Sequence, residues 1–234
     1  MPIKKKLVVL SGAGISAESG LRTFREMGGL WEEYDVMEVA SPQAWEKDPE
    51  LVTRFYNERR QQLLKCQPND GHLILHELEE YFDVEVITQN VDDLHERAGN
   101  TKILHLHGEL KKARSTADPN LIYELDSWEL TEESICEKGS RLRPHIVWFG
   151  EAVPAISEAS DIVSKADILV IVGTSMNVYP AAGLIDYAPS HCPIYIIDPN
   201  EVNMSSYGNR TFIKEKASIG MRILFEILVS KTNT

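Results

Sequence analysis

Short apolar runs alternate with stretches of helical period along most of this chain. Helical spacing over residues 73–82 and 156–165 predicts helices beside the apolar runs. The apolar runs predict buried parallel strands at residues 7–10, 84–88, 145–149, 168–172 and 194–197. Strands that alternate with helices indicate an α/β fold, a Rossmann-like doubly wound parallel sheet that binds ligands at the carboxyl ends of its strands.

Two stretches depart from this alternation. Residues 28–70 contain no convincing strand, and Asp48 and Pro49 have the residue types of an N-cap and a first-turn proline that open a helix through Leu64. Residues 110–143 are polar and charged with weak periodicity, which suggests a small lobe. We therefore expect a single domain, residues 1–234, with a core at about 1–27, 71–109 and 144–234 and a lobe at about 28–70 and 110–143.

The first predicted strand breaks into closely spaced glycines. Gly12, Gly14 and Ala17 have the spacing of dinucleotide sites, where main-chain N–H groups approach a pyrophosphate. The same spacing fits a tight turn that only joins a strand to a helix. In ordinary dehydrogenases an acidic residue follows the glycines by about 20 residues and holds the adenine ribose. Here the stretch 28–70 occupies that place, so the glycines predict a dinucleotide site in a different layout.

Composition and charge narrow the function classes. The chain is 43% hydrophobic, and its 36 acidic and 24 basic residues give a net charge of -12, so we expect neither nucleic acid nor a membrane as a partner. Cys66, Cys136 and Cys192 are far apart, which indicates a reducing compartment and no disulfide framework. The first apolar run ends at Ser11 and is too short for a secretion signal. We expect a cytoplasmic monomer.

Amide and carboxylate side chains follow the second predicted strand. Gln89, Asn90, Asp92 and Asp93 lie just past its carboxyl end, where a ligand binds in such sheets, and they suit hydrogen bonds to a ribose or a carboxamide. Asp92 or Asp93 could instead cap the next helix.

Two histidines come soon afterwards. His105 and His107 alternate along an extended segment and would face the same side, as a metal pair would. No third ligand stands at a familiar spacing, so we expect no metal. A histidine here is either structural or a neutral general base.

Later strand ends supply a second wall of polar groups. Residues 149–151 close one strand, and residues 173–175 close the next with main-chain and hydroxyl donors suited to phosphate or ribose. Residues 198–200 end the last strand, where Asp198 could serve an adenosine ribose or only form a proline turn.

Taken together, these motifs resemble the sirtuins, the family of NAD-dependent protein-lysine deacylases. The resemblance covers the chain from about residue 7 to the C-terminal helix. In chain order, the motifs are Gly12-Ala13-Gly14-Ile15-Ser16 through Phe24-Arg25, Thr88-Gln89-Asn90-Val91-Asp92 with Leu94-His95, His107-Gly108, Phe149-Gly150-Glu151, and Gly173-Thr174-Ser175 with Val178 and Pro180.

The resemblance implies that NAD, as co-substrate, crosses the strand ends with its pyrophosphate against the glycine turn. The loop over residues 15–31 would cover the nicotinamide ribose, and Asn90 and Asp92 would line the nicotinamide pocket. The implied NAD contacts are Gly12, Ala13, Gly14, Ile15, Phe24, Arg25, Trp31, Gln89, Asn90, Asp92, Gly173, Thr174, Ser175, Asp198, Asn200 and Ala217.

The resemblance also implies a mechanism. The acyl-lysine carbonyl oxygen attacks the ribose C1′ and expels nicotinamide to give an alkylimidate, and His107 then acts as base on a ribose hydroxyl. Water finally releases lysine and O-acyl-ADP-ribose in a closed, dry site. His107, Asn90 and Asp92 would be catalytic, and an acylated-lysine protein or peptide would add as an extended strand beside residues 149–151 and 177–179. The implied substrate contacts are Ala40, Tyr56, Arg59, Val147, Phe149, Gly150, Glu151 and Val178.

A Tyr-x-x-Arg pair indicates the acyl class. Tyr56 and Arg59 are three residues apart and share a helix face, which without context is usually an ordinary exposed pair. Residues 55–60 and the small Ala40 resemble class III sirtuins, which remove negatively charged acyl groups. A guanidinium can bind a succinyl or malonyl carboxylate through two hydrogen bonds, and the tyrosine hydroxyl would add a third. We expect desuccinylase or demalonylase activity beside deacetylation.

The chain departs from the family at the zinc site. Sirtuins normally carry two cysteine pairs in the small lobe, but residues 110–143 contain only Cys136, and Arg114 stands where the first pair would begin. We therefore expect no zinc. Asp198 stands where the family more often has asparagine, and a carboxylate can still accept from a ribose hydroxyl. The lobe would rely on the apolar residues Leu121, Ile122, Leu125, Trp128 and Leu130.

Two other interpretations of the function stay open. One is another NAD enzyme, either a hydride-transfer oxidoreductase or a mono-ADP-ribosyltransferase. The missing acidic residue argues against the first, and the pair Tyr56 and Arg59 with residues 149–151 argues against the second. The other is a non-catalytic NAD or ADP-ribose sensor, which would not need a base such as His107.

Overall fold

A computed structural model describes residues 4–21, 35–174, 178–200 and 209–232. In these ranges six strands form one parallel sheet in the order β3-β2-β1-β7-β8-β9. The strands of this sheet are β1 (Lys6–Ser11), β2 (Asp83–Thr88), β3 (Ile103–His105), β7 (Ile168–Val172), β8 (Ile194–Ile197) and β9 (Arg210–Ile213). Its order reverses between β1 and β7, which opens a crevice at their carboxyl ends.

Helices cover both faces of this sheet. The described helices are α1 (Ala13–Ala17), α2 (Val36–Val39), α3 (Pro42–Lys47), α4 (Pro49–Lys65), α5 (Asp70–Leu78), α6 (Leu94–Ala98), α7 (Ile156–Ser164) and α8 (Ala217–Thr232), with a 3-10 helix at Ala181–Tyr187. Of these, α1, α5 and α8 pack on one face of the sheet and α7 and the 3-10 helix on the other, while α2, α3, α4 and α6 contribute to a separate apolar cluster. Successive strand residues point to opposite faces, so β1 sends Leu7 and Val9 toward α5 and α8, and Val8 and Leu10 toward α7. Burial on both faces explains why these strands are continuously apolar.

The sequence predicted part of this architecture, including four of the six strands of the parallel sheet but neither β3 nor β9. The strand predictions at 7–10, 84–88, 168–172 and 194–197 are confirmed, and so is the α/β fold class. The carboxylate of Asp48 accepts from the main-chain N–H of Leu51, and Pro49 opens α4, as the N-cap pattern predicts. The helix predicted at 73–82 is observed at Asp70–Leu78: it begins earlier, because Asn69 accepts from the N–H of Gly71, and it ends four residues before the predicted end.

The prediction of a parallel core strand at 145–149 is wrong. His145 and Ile146 instead end strand β6 (Leu142–Ile146), which pairs antiparallel with β4 (Gly108–Ser115) in a separate sheet of order β5-β4-β6, where β5 is Ile122–Glu124. Burial alternates along β6, as expected for a strand that is buried on one face. A short apolar run cannot distinguish the two kinds of strand.

The small sheet has its own apolar cluster. Ala113, Leu130, Cys136 and Leu142 are buried together, with Leu121, Tyr123 and Leu125 packed against them. Ile122 does not contribute as expected, because it is 46% exposed at the outer strand. The residue boundaries given above for the lobe stay a prediction. In the described ranges, no helix has the length and apolar character needed to cross a membrane.

Candidate active site

The glycine turn after β1 packs directly against the end of β7. The main-chain N–H groups of Gly12 and Gly14 donate to the carbonyl oxygens of Val172 and Gly173 at 3.0 and 2.8 Å. A Cβ on Gly12 would lie 2.6 Å from the Cβ of Thr174, and one on Gly14 would lie 2.7 Å from the Cα of Gly173. These glycines therefore allow two strand-end loops to touch at the point where the sheet order reverses.

The turn also limits which amides are free for a ligand. The N–H of Ile15 donates to the Gly12 carbonyl oxygen at 3.1 Å, and its side chain is fully buried in the core. Gly12, Gly14 and Ile15 thus direct their N–H groups to protein carbonyl oxygens. Ala13 is the first residue of α1, and an N–H group in a first helical turn has no partner within its helix.

A buried polar cluster lies beneath this turn and centres on Ser16. The Ser16 hydroxyl donates to Asp92 Oδ2 at 3.0 Å and accepts from Asn90 Nδ2 at 3.1 Å. Asn90 Nδ2 also donates to the Gly12 carbonyl oxygen at 3.1 Å. His72 Nδ1 accepts from the Asn69 N–H, so its Nε2 carries the proton and donates to Ser16 at 3.4 Å. The cluster ties the glycine turn to the loop after β2.

Burial sets the charge states in this cluster. Burial raises the pKa of Asp92, while hydrogen bonds from the Leu94 N–H and the Ser16 hydroxyl oppose the shift. Burial lowers the pKa of His72 to about 4, so His72 is neutral near pH 7. Asp92 Oδ1 also accepts from the N–H of Leu94, the first residue of α6, so the capping interpretation of Asp92 is confirmed, and its contact with a ligand stays a prediction.

A second hydrogen-bonded chain fixes the main chain of Asn90. His95 Nε2 lies 2.9 Å from the Ser11 hydroxyl, which donates to Thr88 Oγ1 at 2.9 Å. Thr88 Oγ1 also accepts from the Asn90 N–H at 3.0 Å. The rings of His95 and His72 meet edge to face, with their centroids 4.9 Å apart. Burial lowers the pKa of His95 well below its ordinary value, so this histidine pair is neutral and structural.

His107 has the tautomer of a general base. Its Nδ1 lies 3.0 Å from the Gln89 carbonyl oxygen, which can only accept, so Nδ1 carries the proton and Nε2 carries the lone pair. Burial lowers the pKa of His107, and the hydrogen bond to Gln89 opposes the shift. Gln89 Nε2 in turn donates to Thr174 Oγ1 at 3.1 Å, which joins the ends of β2 and β7.

His105 has a different environment from His107. Its Nδ1 lies 3.1 Å from the Asn90 carbonyl oxygen and its Nε2 lies 2.7 Å from Glu96 Oε1. Burial lowers its pKa, but the hydrogen bond and charge of Glu96 outweigh burial and raise it overall. The ligand atoms of Glu96, His105 and Glu109 lie within 4.8 Å of one another, and Glu109 Oε1 is 2.8 Å from Lys112 Nζ. His107 is outside this acidic group.

The Tyr-x-x-Arg pair of α4 is buried rather than exposed. Tyr56 and Arg59 are 5% and 6% exposed, and the Trp148 indole N–H donates to the Tyr56 hydroxyl at 3.1 Å. Burial raises the pKa of Tyr56. Ala40 is also buried, and its carbonyl oxygen accepts from the Phe149 N–H at 3.0 Å. The structure therefore brings Ala40 and Tyr56 beside the segment that closes β6.

The neighbouring Arg60 has a structural role. Its side chain is 2% exposed, and it donates to the carbonyl oxygens of Trp128 and Leu110 at 2.7 and 3.2 Å. Burial lowers its pKa to about 10, so the guanidinium is still charged near pH 7 and needs these acceptors. Arg60 thus joins α4 to the small lobe.

The segment after β6 lies beside the histidine loop. The Val147 N–H donates to the His107 carbonyl oxygen at 2.9 Å. Gly150 has a φ of 91°, a left-handed conformation that favours glycine. Glu151 Oε2 accepts from the Trp148 N–H at 2.8 Å, and the carboxylate is paired with Arg143 and Arg114. Glu151 therefore stabilises the turn that presents Phe149 and Gly150.

The remaining predicted NAD and substrate contacts are spread over several elements. Asp198 Oδ1 accepts from the Asn200 N–H at 2.9 Å, a hydrogen bond that fits the proline turn predicted at residues 198–200. Asn200 is exposed. Ala217 begins α8 and is buried in the core, and the Val178 carbonyl oxygen accepts from the Ala182 N–H at 2.8 Å. Four predicted NAD contacts lie outside the described residues: Phe24, Arg25, Trp31 and Ser175.

Sequence reasoning assigned no site role to five members of the polar clusters: Ser11, Ser16, His72, Thr88 and His95. Ser16 follows the glycine motif directly, and its position there was the available signal. His72 and Ser11 carry no local signal, because a histidine inside a helix and a serine at a strand end are common. Their contacts link residues 56 and 84 positions apart in the chain.

Comparison with known proteins is consistent with this geometry. Residues 12–180 match the Sir2 family. A Helicobacter pylori protein named NAD-dependent protein deacylase is 52% identical over 225 residues, which cover 96% of this chain and 98% of that protein. A Sir2 homologue mutant in complex with ADP-ribose has a TM-score of 0.90 and 39% identity, covering 98% of this chain and 94% of that chain. A Sir2 homologue bound to NAD has a TM-score of 0.86 and 40% identity, covering 97% and 91%.

Proposed function

The chain belongs to the Sir2 family of NAD-dependent protein deacylases, and we propose that it removes succinyl and malonyl groups as well as acetyl groups from lysine side chains. The products are nicotinamide, O-acyl-ADP-ribose and free lysine. The observation that supports the acyl class is the burial of Tyr56 and Arg59 on one helix, with Tyr56 in contact with Trp148 of the segment that closes β6.

The residues present fit NAD as the co-substrate. The crevice lies where the sheet order reverses, and Gln89, Asn90 and Thr174 place amide and hydroxyl groups at the strand ends around it. NAD, when bound, supplies the ribose carbon that accepts the acyl oxygen. Ala13 and Thr174 are suited to its phosphates, and Asn90 and Asp92 to its nicotinamide end. The assignment of all these contacts is part of the proposal.

His107 is the proposed general base. Its Nε2 lone pair can take the proton of a ribose hydroxyl, and the Gln89 carbonyl oxygen stabilises the imidazolium that results through the Nδ1 hydrogen bond. Burial keeps the ring neutral before reaction. Asn90 and Asp92 are both hydrogen-bonded to the Ser16 hydroxyl, which fixes their side chains at the base of the site. Their proposed role is to position the nicotinamide end of NAD for the earlier step, in which nicotinamide leaves.

Arg59 and Tyr56 are the proposed acyl-specificity residues. A buried guanidinium that meets a succinyl or malonyl carboxylate forms charge-assisted hydrogen bonds, which are stronger than neutral ones. The Tyr56 hydroxyl accepts from Trp148 and still has its own proton to donate to the acyl carboxylate. Ala40 is small enough to leave room for the longer acyl chain.

The remaining proposals concern zinc, location and assembly. We expect a small lobe without zinc, because among residues 110–143 only Cys136 is a thiol, and its Sγ lies 3.3 Å from the Ser115 hydroxyl. We likewise expect a cytoplasmic monomer that acts on acylated-lysine proteins and has no nucleic-acid or membrane partner. Elemental analysis of the purified protein checks the zinc proposal: a stoichiometric zinc content would contradict it.

The test of function uses matched acetyl-, malonyl- and succinyl-lysine peptides with NAD, followed by mass spectrometry. We expect NAD-dependent loss of each acyl group with the corresponding O-acyl-ADP-ribose, and a His107→Ala variant as the inactive control. Loss of acetyl alone would contradict the acyl class and leave the deacylase assignment intact. Transfer of ADP-ribose to protein would favour the transferase alternative, and NAD binding without turnover would favour the sensor.

A further inference from the structure

A cleft of about 390 Å³ opens between the small lobe and the segment after β6. Its walls include Trp45, Arg114, Thr116, Arg143, Val147 and Glu151. Glu151 belongs to the segment proposed to pair with the substrate peptide, Val147 precedes that segment, and the Val147 N–H donates to the His107 carbonyl oxygen. The cleft is therefore continuous with the proposed peptide-binding edge.

The cleft contains two guanidinium groups for one carboxylate. Arg143 holds Glu151 with two hydrogen bonds, Nη1 to Oε1 at 2.8 Å and Nη2 to Oε2 at 3.0 Å. Arg114 makes longer contacts with Glu151, at 3.2 and 3.3 Å, and both come from Nη2. Arg143 is thus the closer partner of Glu151, and the two guanidinium groups and one carboxylate leave one positive charge in excess.

Arg114 has donors to spare. Within the described part of the chain, its hydrogen bonds to Glu151 and to the Ile146 carbonyl oxygen all come from Nη2, which leaves Nε and Nη1 available. Burial lowers the pKa of Arg114, and the neighbouring charge of Arg143 lowers it further. A second carboxylate would relieve this repulsion and accept the two spare donors in the planar geometry that a guanidinium favours.

The cleft is separate from the proposed acyl pocket. The Arg143 guanidinium lies 3.4 Å from the centroid of the Trp148 ring, and the Nε1 edge of the same indole contacts Tyr56. The indole thus contacts the cleft through its ring face and Tyr56 through its edge, and Ala40, Tyr56 and Arg59 do not line the cleft. A ligand in the cleft would come from the peptide that carries the acyl-lysine.

We propose that Arg114 is the anion-binding group of a subsite for an acidic side chain of the substrate, a carboxylate a few residues from the acyl-lysine. This rests on the proposed function, since it assumes a peptide bound along residues 149–151. Main-chain pairing alone supplies affinity with little sequence selectivity. The subsite adds selectivity for acidic substrates to a chain whose net charge of -12 would otherwise repel them.

The test uses acetyl-lysine peptides, so that the acyl pocket is the same throughout, with a single Glu or Gln at each flanking position in turn. We expect one position at which the Glu peptide has a kcat/KM about tenfold above that of the Gln peptide, mainly through KM. The ratio should fall toward one in Arg114→Gln and with rising salt, and persist in Arg222→Gln, which changes an exposed arginine on α8. A ratio taken within each variant cancels any general loss of activity.

The outcomes separate the two proposals. Equal kcat/KM for Glu and Gln at every position, with all peptides turned over, would overturn the subsite and keep the deacylase. A preference that survives in Arg114→Gln would assign it to another residue and also overturn the subsite. A phosphoserine series distinguishes the anions: preference for phosphoserine without preference for Glu would overturn the carboxylate assignment. Absence of NAD-dependent turnover for every peptide would overturn the proposed function, and the subsite with it.

Discussion

The Nδ1 atom of His107 lies 3.0 Å from the main-chain carbonyl oxygen of Gln89. Because that oxygen can only accept, the contact selects the neutral tautomer whose Nε2 is free to take a proton. Gln89 is the first residue after β2 and directly precedes Asn90. One hydrogen bond therefore connects the orientation of the base to the end of a core strand.

The first prediction concerns His107. Replacement by Ala should lower formation of O-acyl-ADP-ribose by about 10²–10⁴-fold, while exchange of labelled nicotinamide into NAD continues, because the base acts after nicotinamide leaves. In the unmodified protein, kcat/KM should fall as pH drops through the pKa of His107, which burial places below the ordinary 6.5. Loss of exchange and product formation together would place His107 in the earlier step.

The second prediction concerns the acyl pair of α4. Arg59→Met should lower the ratio of succinyl to acetyl kcat/KM by about 10–100-fold, because the carboxylate loses its charge-assisted hydrogen bonds. Tyr56→Phe should lower the ratio less. Arg54→Met, on the exposed face of the same helix, is the matched control and should leave the ratio unchanged. An unchanged ratio in Arg59→Met would remove this residue from the acyl pocket.

The third prediction concerns Gly173. Its φ is 62°, and a Cβ there would lie 2.2 Å from the main-chain nitrogen of Ile15. Gly173→Ala should therefore lower the free energy of unfolding by about 3 kcal/mol and weaken NAD binding, since the glycine turn must move. Denaturant titration and calorimetry measure the two effects. Gly183→Ala is the control, because its Cβ would meet nothing closer than 3.8 Å. Similar losses in both variants would contradict the argument.

The fourth prediction concerns the pH dependence of stability. Burial lowers the pKa of His72 from 6.5 to about 4. Between these values the unfolded chain binds a proton that the folded protein excludes, so the free energy of unfolding should fall as pH drops from about 6.5 to 4. His72 contributes about 3 kcal/mol of this loss.

Urea titrations across that pH range measure this effect. His72→Gln should have a shallower dependence, with a residual slope from His95, whose pKa burial also lowers. His191→Gln, at an exposed position, is the control for the replacement of a histidine by glutamine. An identical slope in His72→Gln and the unmodified protein would mean that His72 binds its proton over the same pH range in the folded and unfolded states, which would contradict the effect of burial.

Local patterning was sufficient for four of the six strands of the parallel sheet, and the short strands β3 and β9 were missed. The runs at 7–10, 84–88, 168–172 and 194–197 are apolar at nearly every position because both faces of each strand are covered by helices, and that requirement is visible along the chain itself. Asp48 and Pro49 likewise act on their own helix, so their effect was visible in the sequence. The order of the motifs along the chain was enough to identify the family.

The tertiary structure alone decided what depends on distant contacts. Residues 145–149 were misassigned because an apolar run does not indicate which strand it pairs with. Here residues 145 and 146 belong to β6, which pairs with β4 in a separate antiparallel sheet. The burial of Arg59, the link from Ser16 to Asp92 and His72, and the pairing of Arg114 with Glu151 join residues far apart in sequence. Charge state, tautomer and spare hydrogen-bond donors follow from these contacts, because each is set by the groups that surround a side chain after folding.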